Sequence, residues 1–341
     1  YRKGSPEHRR AGQLLAGGWK GLLWTMIGDM EYMVQRLHLP HYSLKKGPCA
    51  WCRCTGDNSE DSWKDCRPSA KWVTMQWTAS EWLEWADRPQ CSIFQDGLTA
   101  LSCHFDYMHC KYLGVDQIAF GSIMELLTVH MLPNSPKDNL QTCWQHILAS
   151  YKSLGITERY RGMKKLTLFQ RKKQAPKLKG RAKQIAALGE PLLALWEAHM
   201  NPAIEVHAKI RTLLKINVAM EKMMKQFQAF LAFPPEEAAA FTRYCFALCQ
   251  IHLDLGKHFR DEELGLFPDL PKMHMLLHVC QLAHVINPRL TWCFRGEDLQ
   301  KVARTLAASC ARGLMGPQVT LKMVSKLRVA WHLRLQKILE E

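Results

Sequence analysis

Three groups of residues in this chain have types and spacings that can carry chemistry. The first is a set of acids with an imidazole. Asp29 ends the stretch "WTMIGD", Asp106 and His109 lie in "FDYMHCKYLG", and Glu297 lies in "WCFRGEDLQK". Carboxylates are the hard oxygen ligands that Mg2+ or Mn2+ requires. An Asp and a His three apart on a helix share one face, so they can touch each other or one shared ion. A capped helix, with Asp106 as N-cap and His109 in its first turn, explains the same spacing without chemistry.

The second group is "PCAWCRC", which gives Cys49-x2-Cys52-x-Cys54, with Cys66 twelve residues later. A C-x2-C pair in a Gly/Pro loop is half of a structural zinc site. Cys54, Cys66, or the distant Cys103 and His104 can supply the other half, and an unliganded Cys-rich loop is the alternative. The third group is the basic run "RGMKKLTLFQRKKQAPKLKGRAK", residues 161–183, with ten Lys or Arg and no acid. Arg171, Lys172, Lys173, Lys177, Lys179 and Arg181 are its candidate phosphate contacts; a solvated loop is the plain alternative. His274 and His278 in "PKMHMLLH" stand at i, i+4, but no Glu accompanies them in the H-E-x-x-H sense, and they read as a packed helix face.

The elements that must position these residues follow from periodicity. Residues 19–28 form a short apolar run ending in Gly28-Asp29 and read as a strand. "DMEYMVQRLHLP" has helical spacing and stops at Pro40. Residues 41–70 are loop-like. Residues 71–92 carry Trp72, Trp77, Trp82 and Trp85 around a helix that Thr78 or Ser80 can cap. Residues 106–132 read as one long apolar helix, and residues 138–266 are helical almost throughout, with Met220, Met223 and Met224 as core. "LFPDLPKMHMLLHVCQLAHVI" then starts a new segment, and two more helices follow to the end.

At 341 residues and 47% hydrophobic, the chain can bury a sizeable core. Its formal net charge of +15 favours polyanionic partners, nucleic acid before acidic membranes. No apolar run reaches the eighteen residues of a membrane span. Thirteen Cys, several inside helical patterns, suit a reducing compartment rather than a disulfide scaffold. The first residues contain neither an initiator Met nor a signal peptide, so the chain is expected to be a fragment.

Taken in order, "GD", "LPHYSLKKGPCAWC", "DYMHCKYLG", "PKMHMLLH" and "WCFRGED" resemble the catalytic region of eukaryotic cut-and-paste DDE transposases. The likeness is to the CACTA-type group and, more distantly, the hAT group, over residues 20–305. It implies a mostly α fold with a small mixed sheet: an α/β RNase H-like core interrupted by a large helical insertion. On that division residues 1–135 hold the partial core with the knuckle loop 41–70. Residues 136–268 form the insertion with the basic loop 161–183, and residues 269–341 return with the last acid. The implied function is DNA cleavage and strand transfer with two divalent ions, in the nucleus, with DNA as partner, a homo-oligomer compatible with it, and structural Zn2+ alongside. By this alignment Asp29 is the second catalytic Asp and Glu297 the final acid, while Asp106 and His109 buttress the site. No candidate for the first Asp precedes Asp29, which points to a truncated or inactive copy. In a second register Asp29 is the first acid and Asp106 the second. Two other functions remain open: a non-catalytic nucleic-acid-binding protein on the same scaffold, and a zinc-stabilised helical interaction module.

Overall fold

A computed structural model describes residues 25–94, 98–311 and 316–340, except the side chains of residues 295, 297, 338 and 339. The fold is mostly helical. Among the described residues the sheet has two strands, β1 (Met26–Gly28) and β2 (Cys103–Phe105), paired in parallel with Met26 opposite Cys103 and Gly28 opposite Phe105. Residues 19–24 of the expected first strand lie outside the described residues. Parallel strands need a long crossover. Here it comprises α1 (Met30–Leu37), the Cys-rich loop and α2 (Ala79–Glu84). Asp29 caps α1 through a 2.7 Å bond from the Tyr32 N–H. Thr78, not Ser80, caps α2, and Glu81 completes a capping box with it.

The predicted helix over 106–132 is a single rod with two interruptions. It begins as α3 (Tyr107–Cys110), passes through a π-helical stretch over Lys111–Asp116, and continues as α4 (Gln117–Glu125). A second π-helical stretch covers Leu126–Met131. From Asp106 to Thr128 only His109, Leu113 and Glu125 escape full burial. A helix apolar all round belongs at the centre of a fold, and the other helices pack about this one. They are α5 (Pro136–Ser153), α6 (Ala182–Ala186), α7 (Gly189–His199), α8 (Glu205–Gln226), α9 (Pro235–Asp261) and α10 (Pro271–Gln281). Nearly all buried apolar residues from Met33 to Ala283, including Met220, Met223 and Met224, form one contiguous core. Beyond it run α11 (Phe294–Cys310) and α12 (Gly316–Glu340), which pack on each other. No helix among the described residues is long and apolar enough to cross a membrane.

Candidate metal centre and acid-bearing strand edge

The Cys-rich loop is irregular but not exposed. Cys49, Cys52, Cys54 and Cys66 are all buried. The loop is pinned by backbone bonds from Trp77 N–H to Trp51 C=O (3.0 Å) and from Arg53 N–H to Met75 C=O (2.9 Å). Trp51 anchors it further, with its indole N–H donating to Ala100 C=O at 2.7 Å. This sets the knuckle against one face of α10, where His274 and His278 stand a turn apart.

Four ligand atoms converge there. Cys49 Sγ lies 3.6 Å from His278 Nε2, Cys52 Sγ lies 3.4 Å from His274 Nε2, and the two Nε2 atoms are 3.2 Å apart. All four ligand atoms lie within 4.8 Å of one another. A tetrahedral ion with bonds of ~2.3 Å to sulfur and ~2.0–2.1 Å to nitrogen needs S···N edges of about 3.5 Å and an N···N edge of about 3.3 Å. The observed edges match that geometry, so the donor set can hold one metal ion. Trp72 walls the site, its ring centroid 4.4 Å from that of His274 and 5.1 Å from that of His278. Burial works to raise the Cys49 thiol. Hydrogen bonds from Cys52 and Cys54, and the charges of His278 and His274, outweigh it and hold Cys49 well below the usual thiol range. Burial and the bond to Cys49 push Cys52 well above it. Metal ligation takes cysteine as thiolate and histidine as neutral imidazole, so binding here would release protons and weaken as pH falls.

The knuckle is thus completed by His274 and His278, the pair that sequence alone assigned to helix packing. Of the other expected ligands, Cys54 sits beside the quartet, 3.7 Å from His274 Nε2. Cys66 points elsewhere and shares a hydrogen bond with Cys249 on α9. Cys103 is buried in β2, and His104 Nδ1 is buried without a partner among the described residues. Neither joins the quartet. The signal for the convergent set was present in the sequence: a C-x2-C knuckle and an H-x3-H turn. They are separated by more than two hundred residues, and no local rule joins them.

The acids lie on a neighbouring edge. Because Gly28 is opposite Phe105, Asp29 and Asp106 leave adjacent parallel strands at equivalent positions. Asp106 is 1% exposed. Its Oδ1 accepts from the Met108 N–H (2.8 Å) and the Cys293 N–H (3.0 Å), and its Oδ2 is hydrogen-bonded to His109 Nδ1. Both expectations for the "DYMH" stretch therefore hold together: Asp106 caps a helix, and it also touches His109. The bond to Cys293 ties the start of α11 to this edge. Glu297 follows Cys293 by four residues on α11, but its side chain lies outside the described residues. A cleft of about 350 Å³ opens beside the edge, lined by Asp29, Glu31, His41, Tyr42, His109 and Lys272 among others.

The rest of the "FDYMHCKYLG" stretch is explained by Lys272. The backbone at Leu113 departs from helical geometry (φ −90°, ψ 17°), and its carbonyl accepts from Lys272 Nζ at 2.9 Å. Gly114 makes room for the incoming lysine, since a Cβ there would fall 2.7 Å from Lys272 Cδ. Deeper in the rod, Lys111 is fully buried and bonds both oxygens of Asp116, at 2.7 and 2.6 Å. Asn217 Nδ2 donates to Asp116 Oδ1 (2.7 Å) and the Tyr112 hydroxyl donates to Glu221 Oε2 (2.8 Å). Burial pushes the Glu221 carboxyl up to about 7.

The basic run is laid down more firmly than a solvated loop. Tyr160, Met163, Phe169, Leu178 and Ala182 are buried, and the Leu178 N–H bonds the Gln117 carbonyl of the rod at 2.8 Å. Lys172, Lys173, Lys179 and Arg181 are exposed and Lys177 is half-buried. Arg171 is partly committed, its Nε donating to Ala175 C=O at 2.8 Å.

Comparisons with known protein families, with curated proteins and with solved structures returned no match.

Proposed function

We propose that this chain is a transposase-derived DNA-binding domain with an RNase H-like strand edge, held together by a structural zinc ion. The observation that carries the reading is the strand register. Asp29 and Asp106 follow neighbouring parallel strands at matched positions, the usual place for a functional residue at the carboxyl edge of a sheet. This favours the register in which Asp29 is the first acid and Asp106 the second. The bond from Cys293 N–H to Asp106 brings the helix that carries Glu297 to the same edge. The donor set Cys49, Cys52, His274 and His278 suits zinc, which favours thiolate and imidazole in four-coordinate, closed sites. Such an ion would tie α10 to the knuckle loop and so fix Lys272 beside the cleft.

Two divalent ions on the three acids would supply activation of a water or 3′-hydroxyl and stabilisation of the leaving oxygen. The residues as arranged fit that role incompletely. Both oxygens of Asp106 are engaged by the donors Met108 N–H, Cys293 N–H and His109, and Asp29 offers its remaining oxygen to the cleft. Asp106 here orients His109 and anchors α11. This arrangement favours a second reading, a domain that keeps the scaffold and binds DNA without cutting it.

Nicking of supercoiled plasmid in Mg2+ or Mn2+ separates the two. The catalytic reading expects nicking that Asp29→Asn and Glu297→Gln each abolish without loss of DNA binding. Steep salt dependence of binding with no nicking in either ion leaves the non-catalytic reading standing. Binding that ignores salt rejects both.

A further inference from the structure

We propose that Lys177, Lys183 and Lys272 form a fixed cluster of cations that grips the phosphate backbone of a DNA strand entering the Asp29–His109 cleft, with Gly121 as the residue that seats Lys177. The inference rests on the DNA-binding reading above and adds to it which cations act, and why.

The basic run contains two kinds of positive charge. Lys172 and Lys173 occupy the tip of the turn closed by the Arg171–Gln174 bridge. Past that turn the chain runs back as a strap. Lys177 N–H bonds Phe169 C=O at 2.8 Å, Lys179 N–H bonds Leu168 C=O at 2.7 Å, and the Tyr160 hydroxyl donates to Lys179 C=O at 3.0 Å. Leu178 is fully buried between them. The strap rests on Gly121 of α4. A Cβ at position 121 would fall 2.9 Å from Leu178 N and 3.0 Å from Lys177 Cα and Lys177 N. These are backbone atoms, so a side chain there would have to lift the strap.

Lys272 is seated on the same rod at Leu113 and Gly114, about two turns, or ~10 Å, from Gly121. Lys183 comes to the same region from α6, with Nζ 5.8 Å from the ring centroid of Phe294 at the start of α11, a ring that lies 6.3 Å from that of Tyr112 beside the Lys272 seat. Lys272 thus lines the cleft, and Lys183 meets the first residue of the helix that carries Glu297. None of the three lysines forms an ion pair among the described residues. Burial, then the nearby charges of Lys272 and Arg171, depress Lys177 below the usual lysine range. Like charges held together on rigid supports are relieved by an anion, and successive phosphates are anions with a regular spacing.

The test uses the full chain with a labelled duplex and a single strand of equal length, and reads affinity over a salt series. Lys177→Gln with Lys183→Gln should flatten the log–log salt slope on duplex by about two, at ~0.9 per lost contact. The tip pair Lys172→Gln with Lys173→Gln removes the same charge and should flatten it by less than one. Gly121→Ala changes no charge, yet should weaken binding and flatten the slope, with thermal melting as the check on folding. Equal flattening by the two Lys pairs would overturn the fixed cluster and leave a diffuse basic patch. A Gly121→Ala chain that binds with the wild-type slope would remove the seat. A wild-type slope near zero rejects the DNA-binding reading itself, which distinguishes that failure from the failure of this inference.

Discussion

The Cys–His centre and the strand edge lie within one body and use α10 in common, but their polar atoms face in different directions. At the centre, Cys49, Cys52, His274 and His278 turn their donor atoms toward one enclosed point. At the edge, Asp106 turns its oxygens toward backbone N–H groups and His109. Lone pairs directed at a common point make an ion site; lone pairs directed at N–H groups make a joint. The centre can therefore hold one metal ion as it stands. The edge is built to hold β2, α3 and the start of α11 together beside a cleft.

The largest expected effect tests the centre. Structural zinc sites contribute on the order of 10 kcal/mol of apparent binding free energy. Purified protein should carry one zinc per chain by elemental analysis, and Cys52→Ala or His278→Ala should abolish both the metal and cooperative melting. Metal-free protein that melts as wild type would reduce the centre to a packed thiol cluster.

The edge should respond more mildly and unequally. Asp106→Ala leaves two backbone N–H groups and an imidazole without their shared acceptor. We expect a loss of about 3 kcal/mol in denaturant unfolding, since a buried charged hydrogen-bond partner is costly to remove. Asp29→Ala removes a surface N-cap and should cost about 1 kcal/mol, with Asn at that position nearly neutral. Similar costs at the two positions would erase the distinction between a joint and a cap.

A third measurement probes the rod between the two regions. Glu221 faces Lys111, Asp116, Tyr112 and Arg289, and burial raises its carboxyl to about 7. A carboxyl raised on folding binds more protons in the folded chain, so its contribution is full below about pH 4.5 and is lost as pH rises toward 7. Its side chain retains 25% exposure, which keeps the expected loss to about 2 kcal/mol of the ~3.4 kcal/mol that a rise from 4.5 to about 7 makes available at ~1.4 kcal/mol per pH unit. Glu221→Gln should remove that slope between pH 4.5 and 7 and leave stability below pH 4.5 nearly unchanged. A variant with the wild-type slope would assign the pH dependence to other groups.

The local features were legible in the sequence because they depend on neighbours along the chain. The strand ending at Gly28, the helix from Met30, the long apolar rod after Asp106 and a cap at Thr78 or Ser80 all follow from periodicity and capping chemistry, with the structure choosing Thr78. The Asp106–His109 contact follows from i, i+3 spacing. The knuckle Cys49–Cys52 was recognisable as half of a metal site.

The missing half was not legible, because His274 and His278 are joined to the knuckle only by the packing of α10 against the loop. Viewed locally, two histidines on an apolar helix are indistinguishable from core residues. Nor could sequence place Cys66, which its spacing offered to the metal and the fold gave to Cys249. The basic run shows the same division. Its charge was plain from composition, but the seat on Gly121 and the nearness of Lys177 to Lys272 arise where distant segments are laid on one rod. The sequence by itself determined which residues can bind metal, cap a helix or carry charge, since these are properties of side chains and short spacings. Only the tertiary structure decided which of them meet, since burying one core sets the partners across the chain.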